Sequence, residues 1–111
     1  MSGILDASGP VKYAAISGAA SGDNTLVAAV SGKRIRVLSY QLVAANTVAI
    51  RFESGAGGTA LSGVMTAAVS VPITGQFNPV GHFETAAGAL LNMELGGAVQ
   101  VSGHITYQEV A

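Results

Sequence analysis

A chain of 111 residues supplies one core's worth of sequence and excludes a second domain. Half of it is apolar and only 10% is charged, against roughly 25% in an ordinary soluble domain. Five basic and six acidic residues leave a net charge of −1, which gives no broad cationic field for nucleic acid or an anionic membrane surface. Cysteine is absent, so disulfide frames, thiolate metal sites and a cysteine nucleophile are excluded. No apolar run reaches the ~18 residues of a membrane-spanning helix.

In chain order, residues 1–10 lack alternation and are expected to form an extended N-terminal arm. The opening MSGILDASGP has no basic stretch leading into an apolar core, so a secretory signal is not expected. Residues 11–111 are expected to form a single domain. Alternation and turn spacing place about eight strands, at 11–17, 25–30, 33–43, 47–53, 69–74, 81–85, 89–95 and 98–110. In 47–53, Val48, Ile50 and Phe52 oppose Thr47, Ala49, Arg51 and Glu53, as a half-buried strand requires. Ser-Gly pairs recur between the strands and supply turn chemistry, because Gly reaches positive φ freely and Ser bonds the local backbone. The last pair, Ser102-Gly103, falls inside an alternating run, where a lone Gly marks a bulge or a close backbone approach. The fold class that follows is all-β, a compact antiparallel sandwich.

Two segments resist simple alternation. In 33–43, Ile35 and Val37 oppose Arg34 and Arg36, yet Leu38, Tyr40 and Leu42 then become the apolar set. Either a bulge near Ser39 resets the register or the far half is buried on both faces. Two-sided burial against a neighbouring subunit is the expectation preferred here, since it also explains how so few charges suffice. The stretch 59–68 is the best helix candidate in a chain with 19 Ala, although Gly63 and the β-branched Thr66 argue against it.

Several constellations could carry chemistry. His82 and Glu84 share a strand face, and His104 on a later strand could complete a two-histidine, one-carboxylate iron triad. The competing reading is three polar strand residues facing solvent. Gly55-Ala56-Gly57-Gly58-Thr59-Ala60 fits a dinucleotide fingerprint by letter, but no βαβ unit follows it, so a hairpin turn is expected. No Gly-x-Ser-x-Gly elbow exists. The carboxylates are scattered along the chain, although sequence distance does not exclude a spatial pair. Lys33, Arg34 and Arg36 form the one basic concentration; Arg34 and Arg36 could clamp a partner's carboxylates or simply guard a strand edge. Tyr13, Tyr40 and Tyr107 are the natural interface anchors, or alternatively caps of the core.

The stretches VKYAAISGAASGDNTLVAAVSGKRIRVLSYQLVA, VAIRFESGAGGTALSG and FNPVGHFETAAGALLNMELGGAVQVSGHITYQEV resemble small virion proteins of tailed bacteriophages and prophages, most of all head decoration, or cement, proteins. The resemblance implies a jelly-roll-like sandwich that trimerises and binds the outside of a mature capsid at local three-fold positions. Its partners would be copies of itself and the major capsid protein, with no nucleic acid, membrane or cofactor. It would be made in the host bacterial cytoplasm and reside on the capsid exterior. In position, residues 1–10 match the arm by which such proteins are tied to the shell, but they lack the proline-rich character of some decoration families. No binding residue transfers. In a cyclic homotrimer, Leu38, Tyr40 and Leu42 would meet their counterparts around the axis. The expected function is therefore structural, not enzymatic. The alternatives are a small metal-dependent jelly-roll enzyme using His82, Glu84 and His104, or a carbohydrate-binding tail or fibre-tip module.

Overall fold

The computed structural model describes residues 9–111, and within them it contains ten strands and no helix. The strands are β1 (Lys12–Gly18), β2 (Gly22–Val27), β3 (Arg34–Ala44), β4 (Val48–Ser54), β5 (Thr59–Ala60), β6 (Met65–Ala67), β7 (Ile73–Gly75), β8 (Phe83–Glu84), β9 (Leu91–Leu95) and β10 (Val101–Val110). Of the expected arm, only Gly9 and Pro10 fall within the described residues; residues 1–8 lie outside them.

The strands divide into two antiparallel sheets. The first runs β1-β10-β3-β7, with β8 also on β3; the second runs β2-β9-β4-β5, with β6 also on β4. Successive strands cross repeatedly from one sheet to the other, and the first and last strands pair with each other, as in the double Greek key of a jelly roll. The expected all-β sandwich is therefore the observed architecture.

Alternation explains which face each strand buries. Ile16 from β1, Val101 and Ile105 from β10, and Ile35, Val37, Leu42 and Ala44 from β3 line the inner face of the first sheet. Val48, Ile50 and Phe52 from β4 meet them from the second sheet, with Leu91, Met93 and Leu95 from β9. Phe52 and Phe83 stack obliquely with centroids 5.1 Å apart, and Tyr40 packs on Phe52 at 5.2 Å, closing the core near β8.

The phase change in β3 is a bulge. Thr106 pairs with Ser39 but Tyr107 pairs with Val37, so Leu38 is the extra residue and the register resets there. Beyond it, Leu42 and Ala44 face the core while Gln41 is exposed. This corrects the expectation of two-sided burial: one inserted residue moves the apolar set back to the same face, without any neighbour.

The helix candidate is also corrected. Residues 59–68 supply β5 and β6, both paired to β4. Gly55 and Gly57 adopt φ of 82° and 63°, and Gly58 N–H donates to Gly55 O at 3.0 Å, so the glycine-rich stretch is the hairpin turn expected of it. The second strand begins at Gly22, where φ is 90°, three residues earlier than alternation alone suggests. At Gly103, a Cβ would overlap the Gln41 carbonyl on β3, so this glycine marks a close backbone approach.

Candidate functional site

The histidine triad does not assemble. Glu84 sits opposite Arg36 on β3, whereas His104 sits opposite Gln41, five positions further along the same strand or roughly 15 Å at ~3.3 Å per residue. Glu84 instead receives Arg36 Nε at 2.9 Å and lies 3.9 Å from Arg34. His82 Nε2–H donates a hydrogen bond to the Gln76 carbonyl at 2.6 Å, and its ring stands edge-on to Tyr40. Glu84 and His82 therefore have local partners of their own, and His104 lies apart from both.

The expected interface residues separate in the same way. Leu38 and Leu42 are only 1% and 0% exposed within one chain, and Tyr40 is packed into the aromatic group, so a trimer seam through these three is corrected. The segment between β7 and β8 crosses here, with Asn78 N–H donating to Leu38 O at 2.9 Å and His82 N–H to Val37 O at 2.8 Å. Tyr107 is half-buried against the core. Arg36 is committed to Glu84. Tyr13, at 83% exposed, and Arg34, whose side chain is 45% exposed, remain available.

Register shows what surrounds Tyr13. Three rows run across the outer face of the first sheet: Tyr13–Thr106–Ser39, Ala15–His104–Gln41 and Ser17–Ser102–Val43. None of these positions holds Lys, Arg, Asp or Glu. Within the rows, Ser39 and Thr106 join hydroxyl to hydroxyl at 2.5 Å, and Gln100 at the strand entry bonds Ser17 and Ser102. These three rows carry no fixed charge, and Arg34, Arg36 and Glu84 lie beyond them on the same face. Val11, 52% exposed, extends it at the start of β1.

The outer face of the second sheet is the opposite in character. Alternation with Ile50, Phe52, Met93 and Leu95 turns Arg51, Glu53, Asn92 and Glu94 outward, and Asp23 on β2 lies opposite Glu94. Ligand oxygens of Asp23, Glu53 and Glu94 come within 4.8 Å of one another. Glu53 is buried, with Arg51 Nε donating to Oε2 at 2.9 Å and Asn92 Nδ2 to Oε1 at 2.9 Å. Asp23 Oδ1 accepts from Asn92 at 2.8 Å and from Gly57 N–H at 3.1 Å, which ties the β4–β5 hairpin to β2. Glu94 Oε2 is shut from solvent and has no hydrogen-bond donor among the described residues, an arrangement that for a carboxylate costs more than the ~1–3 kcal/mol of a neutral group. Beside it opens a cavity of about 150 Å³ lined by Ala49, Ile50, Arg51, Val64, Glu94 and Gly96.

Oxygen donors of this kind suit hard divalent cations, but Arg51 and Asn92 already engage both oxygens of Glu53. The network thus works as a buried polar tie between β2, β9 and β4. The convergence of the three carboxylates was not visible in sequence; the available signal was parity, since Arg51 with Glu53 and Asn92 with Glu94 each share a strand face.

The described ionic side chains now sort into three groups. Lys12 and Glu109 neutralise each other at 3.1 Å. Lys33, Arg34 and Arg36 stand against one carboxylate, Glu84, leaving a formal +2 at the start of β3. Asp23, Glu53 and Glu94 stand against one guanidinium, Arg51, leaving a formal −2 on the second sheet. No protein-family model matches the chain, and no match to it was found among curated proteins.

Proposed function

We propose that this chain is a structural virion protein that decorates and stabilises a bacteriophage capsid, binding its outer surface as a homotrimer. The observation that carries this reading is the uncharged part of the first sheet's outer face, three cross-strand rows ending at the exposed Tyr13 ring, with Arg34, Arg36 and Glu84 confined to the start of β3 beyond them. Antiparallel sheets that present one face to water usually carry charged or strongly polar residues there. Rows of Ser, Thr, Ala, Gln, Val, Tyr and a single His hold no carboxylate, ammonium or guanidinium to be stripped of water when covered.

Cementing requires no reaction. A subunit that bridges shell neighbours adds free energy only where those neighbours are correctly assembled, at roughly 25 cal/mol per Å² of apolar surface before ordering costs. The sequence resemblance to decoration proteins supplies the shell as the partner, and the jelly-roll architecture suits the role. Metal-dependent catalysis through His82, Glu84 and His104 is not favoured, because Glu84 and His82 are engaged by Arg36 and the Gln76 carbonyl and His104 lies apart from them, opposite Gln41.

The test is binding of the purified protein to mature shells of the phage that encodes it, stripped of this protein. Saturable co-sedimentation is expected, with loss of binding in Tyr13→Asp at unchanged thermal stability. A protein that stays in the supernatant at micromolar concentration, or that is absent from purified virions by mass spectrometry, overturns the reading.

A further inference from the structure

We propose that copies of this chain join head to tail through their charged patches, the Lys33, Arg34 and Arg36 group of one copy meeting the Asp23 and Glu94 group of the next. The inference deepens the homotrimer reading and rests on it. Its basis is the partition of charge: a formal +2 in one group and −2 in the other.

Geometry keeps the two groups from neutralising each other within a subunit. Arg34 and Arg36 alternate with Ile35 and Val37, which face the core, so both arginines stand on the outer face of the first sheet. Asp23 and Glu94 stand on the outer face of the second sheet, with the sandwich core between the two groups. A two-fold contact uses one and the same patch on both copies, and groups on opposite faces of the sandwich share no patch, so it would not bring the basic group onto the acidic one. Complementarity is achieved by a heterologous contact, the kind that closes into a ring when its rotation permits. Arg34 and Asp23 are the exposed members and make first contact; Arg36 and Glu53 are held by Glu84 and Arg51 behind them. Partly exposed charges of this sort set orientation and association rate, and their effect fades with salt.

The experiment measures molecular mass by sedimentation equilibrium over a micromolar concentration range, at low and high sodium chloride. Association of the wild-type protein is expected to weaken in high salt. Arg34→Glu and Asp23→Lys are each expected to weaken it roughly tenfold, and the double variant R34E/D23K to restore it. Because Asp23 also accepts two internal hydrogen bonds, Lys33→Glu serves as a second variant whose charge change disturbs no ion pair among the described residues. Thermal melts confirm that each variant is folded. An oligomer that persists unchanged in R34E and K33E, whatever the salt, overturns the head-to-tail contact while leaving self-assembly intact. A wild-type protein that is monomeric throughout overturns both this contact and the homotrimer. Open-ended growth that R34E abolishes supports the contact and overturns the closed trimer.

Discussion

Asn92 Nδ2 lies 2.9 Å from Glu53 Oε1, and both side chains are shut away from water on the outer face of the second sheet. A carboxylate placed there must be matched, because an ionised group in low dielectric without donors costs far more than a neutral one. Asn92 matches it while its own Oδ1 accepts Asn24 N–H at 2.9 Å, joining β9 to β2.

Asn92→Asp keeps the shape and removes the donor to Glu53 and Asp23. The expected result is a loss of about 3 kcal/mol of stability by urea denaturation, since a fourth carboxylate enters a cluster with one guanidinium. A variant as stable as wild type would show that the network contributes nothing.

Removing the cation tests the same network from its other side. Arg51→Met leaves Glu53 buried without its charge partner and is expected to cost about 3 kcal/mol. Adding Glu53→Gln should recover part of that loss, because the neutral amide no longer requires a cation. Equal losses in the single and double variants would contradict the pairing.

Glycine 103 sets the spacing of β10 and β3. Gly103→Ala would drive a Cβ into the Gln41 carbonyl, which belongs to backbone and moves only with its strand. The expected cost is about 3 kcal/mol in chemical denaturation. Gly63→Ala is the control, since that position has open space around it and should change stability by less than about 1 kcal/mol.

Core and surface aromatics should part company. Phe52→Ala empties the centre of the aromatic group and is expected to cost about 3–5 kcal/mol. Tyr13→Ala, on a ring that is 83% exposed, should leave the melting temperature within experimental error while weakening shell binding. A large drop in stability for Tyr13→Ala would move that residue from the docking face to the fold.

Much of the fold was legible because β structure writes itself in a period of two. The alternation of Val48, Ile50 and Phe52 placed β4 within one residue at each end, and glycines at positive φ supplied the turn at 55–58. The break in β3 was legible as a break, but not as a bulge. Which of two adjacent apolar residues is the inserted one depends on the register of β10, and Leu38 and Leu42 read as a partner-facing set until that register was known. The short strands β5 and β6 were missed for a related reason: strands of two or three residues carry no period of their own and exist by pairing to β4.

By itself the sequence determined the class of fold and the scarcity of charge, both properties carried by local pattern and composition; which tyrosine stays exposed, Tyr13 and not Tyr40, was decided by packing. Tertiary structure alone decided that Asp23, Glu53 and Glu94 converge, that His82, Glu84 and His104 do not, and that the ionic groups fall on opposite faces. Those outcomes follow from strand order and register, which are set by pairing between residues distant in the chain. A shift of one position would turn each of these side chains to the other face.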